Sequence, residues 1–294
     1  MKRLLIIIGV ALMAVATCLG ATPQGVVCTP QDSTAIVKLL QQGTGLSASH
    51  KGVGETALFF ARQLLGRPYV AHTLEGYPDG ERLVVNTRQL DCTTLVETVT
   101  ALTLCARRHE TTLADYCQAL QRLRYRQGRL DGYCSRLHYF SDWIADKSAM
   151  GLVSEVQQKD YPFTAVQTLK VGYMSIHPDA YAALKRHAEM VPVISAQERA
   201  LTGQRFRYIP KSEVKNTRAL RRAVHDGDII AITTSKAGLD IAHLGFAVWR
   251  KDGLHLLNAS MIHKKVVEEP VTLYQYLQKH PSHTGIRIIR INEQ

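Results

Sequence analysis

Leu90-Asp91-Cys92-Thr93-Thr94-Leu95-Val96-Glu97-Thr98-Val99-Thr100-Ala101-Leu102 is the stretch on which the reading of this chain turns. Leu95, Val99 and Leu102 recur at i, i+4 and i+7 with Val96 alongside, the spacing of an amphipathic helix packed on a core. Asp91 stands where an N-cap stands, so the helix is predicted to begin at about Cys92. A thiol at that end meets the positive pole of the helix dipole, which lowers its pKa, and the free amides around it can receive an oxyanion. The stretch therefore offers a nucleophile.

A cysteine nucleophile needs a base, and the base needs an orienting group. His243 opens the strand-like run His243-Leu244-Gly245-Phe246-Ala247-Val248-Trp249, and alternation puts its side chain on a face shared with the small residues Gly245 and Ala247. That face is predicted to be open to substrate. The next run, Leu254 to Ala259, makes a hairpin with it across Asp252-Gly253. A two-residue turn there sets Asn258 opposite Ala247, on the face of His243 but roughly 13 Å from it along the strand unless a bulge or twist intervenes. Ser260 is nearer in that register, so both residues stand as candidates for the third group.

Outward from these runs the chain reads as α+β. Glu55 to Leu65 has partial helical periodicity, ended by Gly66-Arg67-Pro68, and Leu83-Val84-Val85 is a short strand. Residues 22 to 50 read as a polar, irregular arm. Residues 107 to 220 read as a largely helical insertion, with helices over Thr112 to Arg126, Leu137 to Ala149 and Pro178 to Met190. After Arg222 the pattern becomes strands: Ile229 to Thr234, the hairpin, and Gly285 to Ile291 closing an antiparallel sheet.

The N-terminus gives an address. Lys2 and Arg3 precede the apolar run Leu4 to Ala16 and the small residues Thr17, Gly20 and Ala21, the layout of a secretory signal peptide over residues 1–21. Residues 22–294 are then one exported, periplasmic domain, with a lipid anchor on Cys18 as the minor alternative. The run is too short to span a bilayer and no later stretch is long enough. The 294 residues carry a net charge of +11, which falls to +9 once Lys2 and Arg3 are set aside, and a surplus of that size favours anionic partners. Export and the lack of a nucleic-acid-binding signature argue against DNA or RNA.

Five cysteines, Cys28, Cys92, Cys105, Cys117 and Cys134, follow Cys18. An odd number in an exported protein leaves at least one thiol free. No C-x-x-C or H-E-x-x-H spacing is present, so no metal site is expected. Cys105, Cys117 and Cys134 read as core thiols, a Cys117–Cys134 disulfide being the alternative.

Taken in order, Gly66-Arg67-Pro68-Tyr69, Asp91-Cys92-Thr93, Asp226-Gly227-Asp228-Ile229-Ile230, His243-Leu244-Gly245 and Leu257-Asn258-Ala259 resemble the motif set of the NlpC/P60 cysteine peptidase superfamily. Cys134-Ser135-Arg136-Leu137-His138-Tyr139-Phe140-Ser141-Asp142-Trp143 and the Cys-Thr-Thr nucleophile motif resemble a narrower branch, the secreted N-acetylmuramoyl-L-alanine amidase-like family. The resemblance implies a papain-like core, no cofactor, and hydrolysis of the amide between N-acetylmuramic acid and L-alanine in muropeptides. It implies Cys92 as nucleophile, His243 as base, Asn258 as orienting residue and Tyr69 lining the site. Asparagine stands at the third position where histidine is frequent in the superfamily. The rival readings are an endopeptidase on the D-glutamyl to diamino-acid bond and a non-catalytic muropeptide-binding module.

The arginines Arg122, Arg124, Arg126, Arg129 and Arg136 read as a solvated face or as ligands for the carboxylates of a peptide stem. Ser135 and Arg136 are the substrate-binding candidates among them, while Tyr139 and Trp143 read as core. The sequence carries no oligomerisation signal, and a monomer is the default.

Overall fold

The computed structural model describes residues 25–48, 52–77 and 80–293. The predicted signal segment and Cys18 lie outside the described residues. Strand β1 (Val26–Cys28) leads into helix α1 (Pro30–Ala48), so the stretch read as an irregular arm is a helix of 19 residues. Its start follows ordinary rules: Pro30 opens it behind Thr29, and the Asp32 carboxylate accepts from the Thr29 hydroxyl and from the Thr87 backbone N–H at 2.8 Å. Ile36, Leu39 and Leu40 make its buried stripe. Gln41, Gln42, Gly43 and Gly45 dilute that pattern, which is why the stripe escapes a reading by composition.

Helix α2 (Val53–Gln63) and strand β2 (Leu83–Val85) follow, and β2 pairs in parallel with β1, Val27 facing Val84. Helix α3 (Cys92–Arg107) begins where the sequence places it, with Asp91 Oδ1 accepting the Thr94 N–H at 2.8 Å. It is more enclosed than an amphipathic helix, since every residue from Thr94 to Ala106 is buried. Helices α1, α2 and α4 (Leu113–Arg124) cover one side of it and strands cover the other. The one charge on its buried length, Glu97, meets Arg124 Nε at 2.7 Å, and Arg124 Nη1 donates to the Val84 carbonyl at 2.7 Å. That pairing ties α3, α4 and β2 together.

The region expected to be a helical insertion is mixed. It contains helix α5 (Phe140–Ala149), strand β3 (Val153–Glu155), strand β4 (Ala165–Thr168), helices α6 (Tyr173–Ile176), α7 (Ala182–Arg186) and α8 (Val191–Leu201), strand β5 (Arg205–Pro210) and helix α9 (Arg218–Ala223). The three strands are short and half-exposed, and so carry little hydrophobic period. The helix expected from Pro178 to Met190 is broken at Tyr181 and His187, whose backbones leave the helical region. Tyr133, Tyr139, Leu169, Met174, Leu184 and Ile194 give this region a core of its own.

Strands β6 (Ile229–Thr234), β7 (Ile241–Trp249), β8 (Leu254–Ser260) and β9 (Lys265–Glu268), helix α10 (Leu273–Gln278) and strand β10 (His283–Ile291) complete the chain. The large sheet runs β4-β5-β10-β6-β7-β8-β9 with every pair antiparallel, and β3 joins β10 beyond the end of β5. Both faces are covered. Ile229, Ala231, Leu244, Phe246 and Leu257 pack toward the α1–α4 side, while Ile230, Ile232, Ala247, Leu256 and Ile288 share a second core with Leu273 and Leu277 of α10. Near-continuous apolar runs such as Ile229-Ile230-Ala231-Ile232 are what a doubly covered sheet demands.

The β7–β8 hairpin departs from the two-residue turn. Trp249 faces Leu254, and Arg250–Gly253 form a four-residue loop closed by the Arg250 N–H on the Gly253 carbonyl at 2.9 Å. Ala247 therefore faces Leu256, and Asn258 moves two residues closer to His243 than the sequence register put it.

Arg287 on β10 is fully buried, and its guanidinium meets Glu155 of β3 through two bonds, Nη2 to Oε2 at 3.0 Å, and the Ser141 hydroxyl of α5 at 2.7 Å. Removing the carboxylate leaves an uncompensated buried cation. Glu155→Leu is expected to lower unfolding free energy by about 3–5 kcal/mol, read from urea denaturation, whereas the same change at exposed Glu189 leaves the midpoint within experimental spread.

Candidate active site

Cys92 occupies the first turn of α3, half-buried, at the wall of a cleft of about 180 Å³. Thr93 and the opening of β7, Ile241 to Leu244, form its inner side, and His138, Tyr139, Met174 and Tyr181 of the inserted region form the other. His243 lines the same cleft. An extra residue at Ala242 bulges the β6–β7 ladder, since His243 faces Ile232 while Ile241 faces Thr233. Bulges re-aim side chains, and this one lies directly before the histidine.

The ring of His243 is held from beneath. Its Nε2 lies 2.9 Å from Asn258 Oδ1, and Asn258 is fully buried on β8. This leaves Nδ1 as the ring atom available to the cleft shared with Cys92. Asn258 is thus the residue beside His243, and Ser260 is not: its hydroxyl accepts the His263 N–H at 3.2 Å and caps the turn after β8.

The predicted open face of β7 is closed. Ala247 is buried in the core shared with α10, and a Cβ on Gly245 would stand 2.6 Å from the Leu257 carbonyl oxygen. Glycine here lets β7 and β8 approach, and the cleft lies instead at the start of the strand.

The electrostatics also differ from the helix-dipole expectation. Burial pushes the Cys92 thiol up to about 12, and the neighbouring Asp91 carboxylate adds to the rise. Hydrogen bonds from the Leu244 and Cys92 backbone amides and from Thr93 pull the other way without prevailing. Burial also holds His243 below the usual histidine range, against the opposing pull of the Asn258 hydrogen bond and the Glu269 carboxylate. The free protein near neutral pH therefore holds a thiol beside a neutral imidazole. A neutral imidazole with its Nε2–H engaged can still take the thiol proton at Nδ1 as the sulfur attacks.

The remaining candidates divide. Tyr69 is half-buried, with its phenol raised by burial and by the nearby Cys92 and Asp91, which sets it close to Cys92. Arg136 lines a second compartment of about 350 Å³ that shares Thr93, His138 and Tyr181 with the first. Its guanidinium is already paired, with Glu75 at 2.8 Å and Glu81 at 3.4 Å. Ser135 faces neither compartment; its hydroxyl donates to the Gly132 carbonyl at 2.7 Å and holds its own turn. The arginines do not form one solvated face: Arg129 is exposed and Arg122 half-exposed, but Arg124 is buried on Glu97 and Arg126 grips Asp142. Tyr139 and Trp143 are core residues, Trp143 stacked on Phe140. The five cysteines are free thiols, Cys117 and Cys134 included.

Two groups escaped the sequence reading. His138 lines both compartments and donates Nε2–H to the Tyr133 carbonyl at 3.0 Å, with burial and Arg136 driving its pKa down to about 3. Glu269, 3% exposed, accepts the Asn258 Nδ2–H at 3.0 Å. Its only signal in the sequence is Glu268-Glu269-Pro270 at a strand end, a pattern typical of surface turns. Among the described residues no group of three His, Cys, Asp or Glu could hold a metal, and no helix is long and apolar enough to cross a membrane.

Residues 59–286 match the family described as AmiA-like, N-acetylmuramoyl-L-alanine amidase-like. The chain belongs to this family. An N-acetylmuramoyl-L-alanine amidase from Bacteroides uniformis ATCC 8492, known from crystal structures, is 40% identical with a TM-score of 0.76, over 82% of this chain and 99% of its own. A Bacteroides fragilis protein provisionally described as a xylanase is 41% identical with a TM-score of 0.74, over 80% of this chain and 100% of its own. A Legionella pneumophila protein shares the fold at 22% identity and a TM-score of 0.65, over 88% of this chain and 95% of its own. No functionally curated protein matches significantly.

In this member of the amidase-like family the Asp91 carboxylate both caps α3 and disfavours the thiolate. Asparagine caps equally well without the charge. Asp91→Asn is expected to lower the thiol pKa and speed iodoacetamide alkylation of Cys92 at pH 7.5 about threefold to tenfold, followed by peptide mass mapping. An unchanged rate would remove Asp91 from the account of Cys92.

Proposed function

We propose that the chain is an exported cysteine amidase that hydrolyses the bond between N-acetylmuramic acid and L-alanine in peptidoglycan fragments, on a papain-like core of the NlpC/P60 type. The observation that carries the reading is one cleft holding a cysteine at a helix start and a histidine whose Nε2 is fixed by a buried asparagine. Cys92 Sγ attacks the lactyl carbonyl carbon while its proton passes to His243 Nδ1. The tetrahedral oxyanion lies against backbone amides at the start of α3. His243 returns the proton to the departing L-alanine amine, and water, activated by the same imidazole, hydrolyses the thioester.

Glycoside hydrolysis, as the xylanase description would require, needs two free carboxyl groups roughly 5–9.5 Å apart. The carboxylates around this cleft are engaged: Asp91 caps α3, Glu97 pairs with Arg124, Glu75 pairs with Arg136, and Asp240 accepts the Ser141 N–H at 2.6 Å. That commitment favours the amide.

Incubation of the purified protein with defined muropeptides is expected to release peptides beginning with L-alanine, identified by mass spectrometry. Cys92→Ala should reduce release by about 10³-fold or more. Fragments cut after D-glutamate would instead establish the endopeptidase, and full activity of Cys92→Ala would end the cysteine mechanism. The base must be neutral to act, and burial lowers the His243 pKa. The kcat/KM profile is therefore expected to stay level as pH falls through 6.5, and to decline only below it.

A further inference from the structure

Glu269 follows β9, and its backbone is pinned on both sides: its N–H donates to the Leu256 carbonyl at 2.8 Å, and its carbonyl accepts from His255 Nδ1 at 2.9 Å. The side chain is buried against β8, with Oε1 3.0 Å from Asn258 Nδ2 and Oε2 3.1 Å from His263 Nε2. A carboxylate only accepts, so it selects the amide face of Asn258. The Nδ2 group turns to Glu269 and Oδ1 turns to His243. Oδ1 also only accepts, so the ring must present Nε2–H to it at 2.9 Å. In a neutral imidazole the lone pair is then on Nδ1.

We infer that Glu269 is a positioning residue that fixes the tautomer of His243 through Asn258, keeping Nδ1 of the neutral ring free of its proton. Without an acceptor at Glu269 nothing holds the Asn258 amide against rotation. The flipped amide would present N–H to Nε2, favouring the tautomer protonated on Nδ1, which cannot take a proton from the thiol. An asparagine alone leaves both faces available, and the carboxylate behind it decides between them. The inference rests on the reading of Cys92 and His243 as the reacting pair, but its primary test does not.

The test is long-range ¹H–¹⁵N correlation of ¹⁵N-histidine-labelled protein at a pH where His243 is neutral, with the His243 resonances assigned by their absence in His243→Gln. The wild-type ring is expected in the Nε2–H form, and an Nδ1–H ring would overturn the inference at once, before any variant is made. Glu269→Leu is expected to shift His243 toward the Nδ1–H form and to lower kcat about 10-fold to 100-fold with KM within about twofold. Glu269→Gln keeps an acceptor oxygen for Asn258 and is expected to restore the Nε2–H form and most of kcat. An unchanged tautomer in a folded Glu269→Leu protein, or equal losses in the Leu and Gln variants, would overturn the role of Glu269. Turnover by Cys92→Ala would strike the cysteine mechanism alone and leave the tautomer result standing.

Discussion

The contact between His243 Nε2 and Asn258 Oδ1 exists only because two strands are in the right step. A shift of two residues between β7 and β8 moves Asn258 about 7 Å along the strand and out of reach. Two features hold that step, the four-residue loop Arg250–Gly253 and the bare Cα of Gly245, where a side chain would meet the Leu257 carbonyl, while the bulge at Ala242 in the β6–β7 ladder re-aims the strand just before His243. Trp249 closes the hairpin end, its indole N–H on the Val224 carbonyl at 2.8 Å and Arg221 lying 4.2 Å over its ring. The geometry of the base is thus set by backbone register.

Cys92 is placed by a different means. Helix α3 is enclosed along its length, so its position is fixed by packing from α1, α2 and α4 and from the sheet, and its first turn is the part that reaches solvent. Burying Glu97 in that helix would cost several kcal/mol unpaired, and Arg124 removes the problem while tying the helix to β2 through Val84. Carboxylates around the cleft are likewise engaged, Glu75 by Arg136 and Asp91 and Asp240 by backbone N–H groups, and Cys92 and His243 stand among them as neutral groups. A neutral pair needs no counter-ion at rest, and the Leu244 and Cys92 amides are already aimed at the sulfur.

The sequence made the residues that meet at the cleft legible because each sits in a local context with its own physical signature. Asp91-Cys92 reads as a cap and first turn; His243 begins an apolar strand; Asn258 lies inside another. Their distances were not legible, because hairpin register follows from loop length, and Asp252-Gly253 is as compatible with a four-residue loop as with a two-residue turn. The strands β3, β4 and β5 were missed for want of length, and α1 because glycine and glutamine obscure a stripe of Ile36, Leu39 and Leu40. Ser135 was drawn in by its place beside Arg136, though its hydroxyl serves only its own turn. Glu269 could not have been found, since nothing in Glu268-Glu269-Pro270 tells a buried carboxylate from an exposed one; Glu268 itself pairs at the surface with Arg62 and Arg250.

The two walls of the cleft are anchored differently. The wall carrying Cys92 and His243 comes from α3 and β7, elements locked into the two main cores, whereas His138, Tyr139, Met174 and Tyr181 come from the inserted region with a separate core. Arg136 spans the second compartment from that region, held between Glu75 and Glu81 of the loop before β2. A substrate carboxylate entering there would have to compete with two glutamates for one guanidinium, so the sequence expectation of a simple arginine clamp does not carry over. Another polar group common to both compartments is His138, whose neutral ring engages Tyr133 through Nε2 and leaves an acceptor at Nδ1. An acceptor at that point matches an N–H or O–H donor better than an anion. The charged side chains at the two compartments are thus largely committed to one another, and what remains for a bound group there is mainly neutral hydrogen bonding.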